Sequence, residues 1–364
     1  MPPESVGILL NANMHRGVEK GHTGQESLSL YEEAAALYDL KPCYLRLDDI
    51  DLHSGTSLVY RREGERFRKA FIETPAVIHN RAIYKGPSAN RKIRLLQEQG
   101  KLLYNFSNRY GKDEIHRLLG EHPLLSGCQP ASLHASLENI ERMMHRYNDL
   151  ILKPVNSSVG RGIMRLRQDV QGWKLLYKAP RTKGRFNEMR LGKKATLPRW
   201  LVRRLGRFPY LVQERLPLAE MEGRPLDVRV TVQRGLGGDW GITGIFAKVS
   251  APGMFLSNIA QGGSAYPAEE VLGRVFPPNM ASRALASCHA LALSVARYLS
   301  GRLPLLADLG MDIGITDSGQ AYFIECNGRD QRYGFRKAGM HPVWINTYRR
   351  PMAFARYLLQ EHRL

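Results

Sequence analysis

The sequence predicts a mixed α/β (α+β) fold with two lobes, and two observations lead to this prediction. Short apolar runs alternate with helix-like segments over residues 1–105, whereas longer strand-like segments follow over residues 106–364. Of the 364 residues, 43% are hydrophobic and 24% are charged, which suits a globular chain long enough for two or three lobes with cores of their own. We therefore expect an N-terminal α/β domain at 1–105 and a larger domain at 106–364.

Cysteine usage and hydropathy exclude several classes of protein. The four cysteines lie far apart and form no Cys-x-x-Cys pair, which argues against a structural zinc site or a disulfide framework. The first residues lack a basic segment followed by an apolar one, and polar residues interrupt the longest apolar helix candidate, residues 284–299. We expect a cytoplasmic protein with no membrane partner.

The formal net charge of +19 is concentrated in one stretch. Between Lys178 and Arg207 there are eleven Lys or Arg residues and one acid, Glu188. A solvated insertion is the plain interpretation, and anionic peptides, polymers or assembly partners are alternatives. A nucleic-acid surface is disfavoured, because only Phe186 and Trp200 supply aromatic rings within the stretch.

The N-terminal domain begins as a βαβ unit and continues as a Rossmann-like lobe with parallel strands. Its predicted strands lie near residues 6–11, 43–47, 76–79 and 102–105, and its predicted helices lie at residues 26–38 and 91–99. A nucleotide site in this lobe is not indicated, because no Gly-x-Gly-x-x-Gly motif follows the first strand.

Two helices are predicted next, at residues 111–119 and 132–146. The second carries Leu133, Ile140 and Met144 at helical spacing, which indicates an apolar face. We expect these three side chains to pack in the core.

Residues 150–163 predict a strand, a small-residue loop and a second strand. The first strand delivers Lys153 and stops at Pro154, and the small residues of the loop allow backbone N–H groups to approach an anion closely. No Gly-Lys-Ser/Thr opens a following helix, so the segment suits a phosphate-covering lid better than a Walker loop. A plain hairpin with a Ser/Gly turn is the alternative. The loop residues concerned are Ser157, Ser158, Val159, Gly160 and Gly162.

Residues 226–233 alternate strictly and predict a half-buried strand that presents Arg229. Residues 240–250 form its partner and carry Lys248, and Asn258 follows in a loop. Arg229 and Lys248 would supply positive charge where phosphoryl transfer develops negative charge. Exposed salt bridges are the alternative for both.

Residues 307–327 predict a β-hairpin in which Asp312 lies opposite Glu325, with Asn327 on the face of Glu325. Two opposed carboxylates repel each other unless a cation lies between them, so Glu325→Gln would relieve repulsion in the metal-free protein. Glycines flanking Asp312 leave room for a ligand, and the oxygen donors suit Mg²⁺ carrying the phosphates of a nucleotide. An exposed edge hairpin with scattered acids is the alternative.

These motifs, in this order, resemble the ATP-grasp superfamily and, within it, the YheC/YheD-like endospore coat-associated family. The likeness extends from about Ala76 to the C-terminus and more weakly to the first strand. It rests on residues 151–163, on Ser257-Asn258 with Gly262-Gly263, on residues 311–314 and on residues 324–327. The cationic stretch is a departure, as is Gly328-Arg329-Asp330, where a small residue and a proline are usual; the latter bears on the acceptor substrate.

The resemblance implies an ATP-grasp fold with a pre-ATP-grasp N-terminal lobe, a lid subdomain at about 147–213 and a catalytic subdomain at about 214–364. It also implies ATP and one or two Mg²⁺ ions, with Mn²⁺ as a substitute. The implied metal ligands are Asp312, Glu325 and Asn327, and the implied catalytic cations are Arg229 and Lys248. The implied nucleotide contacts are Lys112, Lys153, Ser157, Ser158, Val159, Gly160, Gly162, Gln213, Glu214, Leu216, Glu220 and Asn258.

The chemistry that the resemblance implies is carboxylate–amine (peptide-type) ligation through an acyl phosphate. The acid and the amine are not identified by the sequence, although anionic substrates suit the charge. Positioning and electrostatics would supply the catalysis, so Cys326 is interpreted as a packing residue. The alternative is a non-catalytic ATP-binding or structural protein of the spore coat, located there with other coat proteins as partners.

Overall fold

Three β-sheets, with helices packed on them, make up the described part of the chain. The computed structural model describes residues 3–84, 86–156, 160–178, 186–193 and 195–361. The predicted mixed α/β class is confirmed, since helices and sheets are both present. Within these residues, no helix is both long enough and apolar enough to cross a membrane.

The first sheet belongs to the N-terminal part of the chain. Its strands are β1 (Glu4–Leu9), β2 (Leu40–Leu45), β3 (Ile50–Asp51), β4 (Thr56–Glu63), β5 (Arg66–Glu73), β6 (Val77–Asn80) and β7 (Leu102–Tyr104). Their order is β3-β4-β2-β1-β6-β7 with β5 beside β4, and the pairs β2-β1, β1-β6 and β6-β7 are parallel, as predicted. The antiparallel β4–β5 hairpin was not predicted, because β5 is largely exposed and rich in charged residues. The helices of this part are α1 (Ala12–Arg16), α2 (Leu28–Ala36) and α3 (Pro87–Glu98).

The second sheet has six strands in the order β12-β11-β10-β9-β13-β8. These strands are β8 (Ser132–His134), β9 (Asp149–Pro154), β10 (Met164–Asp169), β11 (Gly172–Tyr177), β12 (Asn187–Gly192) and β13 (Tyr210–Glu214). Its neighbouring helices are α4 (Lys112–Gly120), α5 (Leu137–Arg146) and α6 (Arg199–Arg207). The residues of this sheet that face its helices form a core of their own.

The predicted helix at residues 132–146 is wrong in its first five residues. Ser132, Leu133 and His134 form β8, which pairs antiparallel with β13, and the helix begins only at Leu137. Ser136 caps that helix, because its Oγ accepts the N–H of Asn139 at 3.0 Å. The helical spacing of Leu133 to the later apolar residues was therefore coincidental, and backbone pairing with β13 decided the local structure.

The third sheet carries the hairpin predicted at residues 307–327. Its strands are β14 (Glu220–Met221), β15 (Arg224–Arg234), β16 (Trp240–Val249), β17 (Ser264–Pro267), β18 (Asp308–Ile315) and β19 (Ala321–Asn327). Their order is β17-β16-β15-β18-β19, with β14 beside β15. The helices that follow α6 are α7 (Ala268–Val275), α8 (Pro278–Ser300), α9 (Tyr333–Lys337) and α10 (His341–Glu361), and α8 packs its apolar face on this sheet.

Strand β15 is buried on both faces, so the predicted half-buried strand is wrong. Its apolar residues face α8, and the opposite face carries Thr231 and Gln233, which are both fully buried. Gln233 donates to the carboxylate of Asp308 and to the carbonyl of Thr347, each at 2.9 Å. The apolar–polar alternation correctly predicted a strand. It could not show that other segments of the chain pack over the polar face of that strand.

Helix α10 returns to the first sheet. Tyr348, Met352 and Phe354 pack into the core that underlies β1 and β2. Tyr104 of β7 donates its hydroxyl hydrogen to the carbonyl of Pro351 at 2.8 Å. The N-terminal sheet is therefore covered by a helix from the other end of the chain.

A buried cluster of charges joins the first sheet to the third. Arg81, just after β6, lies 2.9 Å from Glu26 and 3.1 Å from Asp308, the first residue of β18. Arg332 lies 2.6 Å from the same Asp308 carboxylate. Removing either carboxylate would leave a buried arginine without its full partner, so the cluster fixes the two sheets at the edge of the cleft between them.

Candidate functional site

A cavity of about 160 Å³ lies where the third sheet meets α4 and the loops of the first sheet. The hairpin β18–β19 forms its floor, and five of the charged side chains that line it come from five different elements. Those charged residues are Lys112, Arg229, Lys248, Asp312 and Glu325. The structure therefore brings together five of the residues that the sequence singled out.

Asp312 and Glu325 face each other across the hairpin, as the strand alternation predicted. The two residues are register partners in the β18–β19 ladder, and an irregularity follows immediately after Asp312. Asn327 lies two residues further on, with its Nδ2 at 3.4 Å from Oε1 of Glu325. The hairpin thus presents two carboxylates and one amide to the cavity.

Asp312 is neutralised by two cations from the neighbouring strands. Its Oδ1 accepts a hydrogen bond from Nε of Arg229 at 2.7 Å and lies 2.9 Å from Nζ of Lys248. Lys248 also lies 2.8 Å from Asp227, whose other oxygen accepts the hydroxyl of Ser257. Burial alone would lower the pKa of Lys248, but Asp227 and Asp312 together raise it, so Lys248 stays charged.

Glu325 has a cation partner of its own. Nζ of Lys112, the first residue of α4, lies 2.7 Å from its Oε2. Burial would raise the pKa of Glu325, but Lys112 holds that pKa well below its usual range. The expectation that Asp312 and Glu325 repel each other without a metal is therefore wrong, because α4, β15 and β16 supply three compensating charges.

The donor set at the hairpin fits a hard cation. Asp312, Glu325 and Asn327 offer only oxygen ligands, which suit Mg²⁺. Among the described residues there is no group of three or more His, Cys, Asp or Glu side chains that could hold a metal. A metal at this place would depend on two carboxylates, the Asn327 amide and oxygens from a ligand.

The space beside the flanking glycines is occupied by protein, which corrects the sequence prediction of room for a ligand there. A Cβ on Gly310 would meet the carboxylate of Asp330 and a guanidinium nitrogen of Arg229. A Cβ on Gly314 would meet side-chain atoms of Leu218 and Ile324. These glycines allow close packing of the sheet against its neighbours, and the cavity lies elsewhere along the hairpin.

Lys153 is the next-to-last residue of β9 and is buried against a histidine that the sequence did not single out. Its Nζ lies 3.3 Å from Nε2 of His116, whose Nδ1 lies 2.7 Å from Oε1 of Gln129. Burial, helped by the charge of Lys112, lowers the pKa of Lys153 to about 7. Burial and Lys153 lower the pKa of His116 to about 3, so the imidazole is neutral. His116 looked like an ordinary position in a predicted helix, and nothing local marked it.

The glycines of the predicted lid loop adopt left-handed backbone conformations. Gly160 has φ of +67° and Gly162 has φ of +76°. A Cβ on Gly160 would contact the amide of Gln261, which belongs to the loop after β16. Phe186, just before β12, lies against Phe255 of the same region, with 4.4 Å between the ring centroids and 41° between the ring planes. This contact joins the second sheet to the loop that follows β16. The predicted loop residues Ser157, Ser158 and Val159 lie outside the described residues.

The predicted adenine-side residues do not line the cavity. The amide of Gln213 donates to Ser132 at 2.6 Å, and Oε1 of Glu214 accepts the backbone N–H of Ala131 at 3.1 Å. Leu216 is buried and Glu220 is exposed. Their roles toward a nucleotide remain predictions.

Two other predicted residues do lie on the cavity wall. Asn258 lies there and caps the short turn Ile259–Gln261, accepting the N–H of Ala260 at 2.8 Å. Cys326 also lines the cavity, and burial raises the pKa of its thiol to about 12, which suits a packing residue better than a nucleophile.

Asp330 is a buried partner of Arg229 that the sequence reasoning missed. Its carboxylate accepts from Nη1 of Arg229 at 2.9 Å and from the hydroxyl of Thr231. Its backbone carbonyl accepts from Arg81 at 2.7 Å. The departure from the family pattern at Gly328-Arg329-Asp330 was visible in the sequence, but its use in holding Arg229 required the folded loop.

The three sheets and the cavity between them define an ATP-grasp fold. Residues 101–358 match the family described as YheC/D like ATP-grasp, and the chain belongs to that family. It is 27% identical over 326 residues to the endospore coat-associated protein YheD of Bacillus subtilis (strain 168), an alignment covering 86% of this chain and 69% of YheD. The fold and the family that the motifs indicated are both confirmed.

Two solved structures share the fold at low sequence identity. The ATP-grasp ligase PsnB, complexed with a phosphomimetic variant of a minimal precursor, Mg and ADP, has a TM-score of 0.51 and 15% identity, covering 94% of this chain and 98% of PsnB. D-alanyl-alanine synthetase A from Vibrio cholerae O1 biovar eltor str. N16961 has a TM-score of 0.54 and 12% identity. That alignment covers 100% of this chain and 98% of the synthetase. At these identities the likeness concerns the fold alone.

Proposed function

We propose that this protein is an ATP-dependent carboxylate–amine ligase that works through an acyl phosphate. The observation that carries the proposal is the convergence of Lys112, Arg229 and Lys248 on Asp312 and Glu325 inside one cavity. Such a site offers both the cations that hold phosphates and the carboxylates that hold a divalent cation. Burying charges costs free energy, and perturbed charged groups gathered in one cavity are typical of a functional site.

Each charged group would have a separate task. Lys112, on the cavity wall, and Lys153, which is buried beside His116, would bind phosphate oxygens. Arg229 and Lys248 would stabilise the negative charge that develops on the transferred group. Mg²⁺ held by Asp312, Glu325 and Asn327 would neutralise the phosphates when bound. Asp330 and Asp227 would keep Arg229 and Lys248 in place through their ion pairs.

The reaction would have two balanced steps. A carboxylate oxygen of the acid bonds to the γ-phosphorus of ATP, the bond to the β,γ-bridging oxygen breaks, and ADP leaves. An amine nitrogen then attacks the acyl carbon, inorganic phosphate leaves, and the nitrogen loses a proton. No protein nucleophile is needed, which agrees with the raised pKa of Cys326.

The names of the similar proteins support this choice. PsnB is a ligase complexed with Mg and ADP, and the Vibrio protein is a D-alanyl-alanine synthetase. The name of YheD leads us to propose, in addition, association with an endospore coat. Recovery of a tagged copy in the coat fraction of spores would test that location, and its absence from that fraction would refute it.

The ligase proposal is tested with hydroxylamine in place of the unidentified amine. Purified protein, MgATP, hydroxylamine and candidate acids should give acid-dependent ADP release together with the hydroxamate of one acid. Lys248→Met should lower the rate by about 10²- to 10³-fold, as expected for removal of a group that stabilises developing charge. Lys20→Met, which removes an exposed lysine outside the cavity, is the matched control. Equal rates in wild type and Lys248→Met, or MgATP binding without turnover for any acid, would contradict the proposal and favour a non-catalytic ATP-binding protein.

A further inference from the structure

The loop after β19 adds a third arginine to the buried charge cluster. Arg81 pairs with Glu26 at 2.9 Å and with Asp308 at 3.1 Å, and Arg332 pairs with Asp308 at 2.6 Å. Arg329 reaches only Glu26, with Nε at 3.6 Å. Three guanidinium groups thus meet two carboxylates, and Arg329 has the longest of these ion pairs.

The remaining nitrogens of Arg329 face neutral atoms. Nη1 lies 3.4 Å from Oδ1 of Asn11, and Nη2 lies 3.2 Å from Sδ of Met14. Asp330 cannot compensate it, because that carboxylate is bonded to Arg229 and Thr231. Arg329 is four-fifths buried and lines the cavity, so its charge is only partly balanced at the cavity wall.

A second arginine lies on the same wall. Arg109 lines the cavity, and within the described ranges its side chain has no carboxylate at ion-pair distance. The loop that carries it is fixed to the loop of Arg329, since Asn105 donates to the carbonyl of Gly328. A Cβ on Gly328 would come within 2.9 Å of the carbonyl of Ser107 and 3.0 Å of Cα of Asn108. Arg109 and Arg329 therefore each follow directly after the contact between Asn108 and Gly328.

We propose that Arg109 and Arg329 form an anion-binding subsite that holds a second carboxylate of the acid substrate, one that does not react. The proposal rests on the ligase function proposed above and names its substrate class: dicarboxylic compounds, including peptides with an acidic side chain. In a substrate with one carboxylate, that group would react with ATP near Lys248. The charge of Arg329 would then remain only partly balanced. A second carboxylate can accept two parallel hydrogen bonds from a guanidinium group, which a lysine or an amide could not donate in the same way.

The probes for this subsite are matched pairs of small acids. Malonate, succinate, glutarate and adipate each differ from their monoamides only in the second carboxylate. With MgADP present, at least one dicarboxylate should raise the melting temperature of the wild-type protein more than its monoamide does. The dependence of the melting temperature on ligand concentration gives an apparent Kd for each acid. The ratio of the monoamide Kd to the dicarboxylate Kd should fall at least tenfold in Arg329→Gln and in Arg109→Gln. Arg142→Gln, which removes an exposed arginine of α5, should retain it.

The outcomes separate the subsite from the ligase proposal. Preference for a dicarboxylate that survives in both Arg329→Gln and Arg109→Gln overturns the subsite, and so does the absence of any preference in the wild type. The thermal response of the wild type to MgATP is recorded alongside, because its loss would be a failure of the nucleotide site instead. Arg109→Gln serves where Arg329→Gln fails to fold, since among the described residues no carboxylate lies at ion-pair distance from Arg109.

Discussion

At the scale of single residues, the site is a set of matched charges. The hairpin was predicted to set two carboxylates against each other, but each has a lysine or arginine within 2.9 Å. A ligand that binds here would replace some of the ion pairs that these carboxylates already make. Before a ligand binds, Asp312 and Glu325 repel each other little because both are paired with cations. This changes what substitution of the carboxylates should do.

Glu325→Gln should destabilise the ligand-free protein. The change removes the ion pair between Glu325 and the partly buried Lys112, at an expected loss of about 1 to 3 kcal/mol in the free energy of unfolding. It also removes an anionic oxygen, so the stabilisation by MgATP should decrease. Urea denaturation with and without MgATP measures both effects.

The control for this prediction is the pair Lys112→Met and Lys112→Met/Glu325→Gln. If the ion pair causes the loss, the double variant should be less destabilised than the sum of the two single variants. Additive losses would show that the two side chains act independently and that the ion pair contributes nothing.

Lys153 should make nucleotide binding depend on pH. Its pKa in the folded protein is about 7, below the ordinary value of 10.5, because burial and Lys112 oppose its charge. Between these two pH values the unfolded chain binds the additional proton, so this group favours folding increasingly as pH rises. Phosphate oxygens favour the charged form, so MgATP binding at pH 8 should take up about one proton.

Calorimetric titrations at pH 8 in buffers of different ionisation enthalpy measure that uptake. Lys153→Met, which keeps the apolar stem and removes the amine, should abolish it while the protein remains folded. Proton uptake that is unchanged in Lys153→Met would place the titrating group elsewhere. The pKa of His116 is about 3 in the free protein, so this imidazole would take up a proton at pH 8 only if nucleotide binding raised that pKa above 8.

At the scale of elements, the predictable parts were those whose pattern is local. The strand period of residues 308–315 and 321–327, with a turn between them, gave the pairing of Asp312 with Glu325 correctly. The parallel strands of the first sheet followed from apolar runs separated by helices. The polar cover on β15, the strand at Ser132 and the His116 contact depend on segments distant in sequence, so no local pattern could show them.

Two glycines offer a test of the lid, one in the loop between β9 and β10 and one at the end of β12. Gly160 and Gly192 both have positive φ, at +67° and +71°, but only Gly160 lies against the loop of Gln261. Alanine at either position should cost about 1 kcal/mol of stability through backbone strain. Only Gly160→Ala should also weaken the stabilisation by MgATP, because it displaces the lid from that loop. Equal nucleotide responses in the two variants, measured by thermal denaturation, would argue against a lid role for Gly160.

At the scale of the whole molecule, polar contacts between segments distant in sequence fix the position of the first sheet relative to the third, beside the cavity. Asp308 binds Arg81 of the first sheet and Arg332 of the loop that follows the hairpin. The same loop supplies Asp330 to Arg229 and Arg329 to the cavity wall. The loop therefore connects Arg229, where phosphoryl transfer is proposed, to Arg329, which is proposed to hold the second carboxylate of the substrate.

The position of helix α10 has a consequence for the co-translational folding of the protein. The first sheet is synthesised early, but the bond from Tyr104 to Pro351 spans 247 residues, and Phe354 fills the core beside it. Until α10 has emerged from the exit tunnel, the core beneath that sheet contains the apolar residues of α2 but lacks those of α10. The N-terminal lobe therefore completes its core only after α10 has been synthesised, and a nascent chain that stalls before α10 would expose part of that apolar core to aggregation or to chaperones.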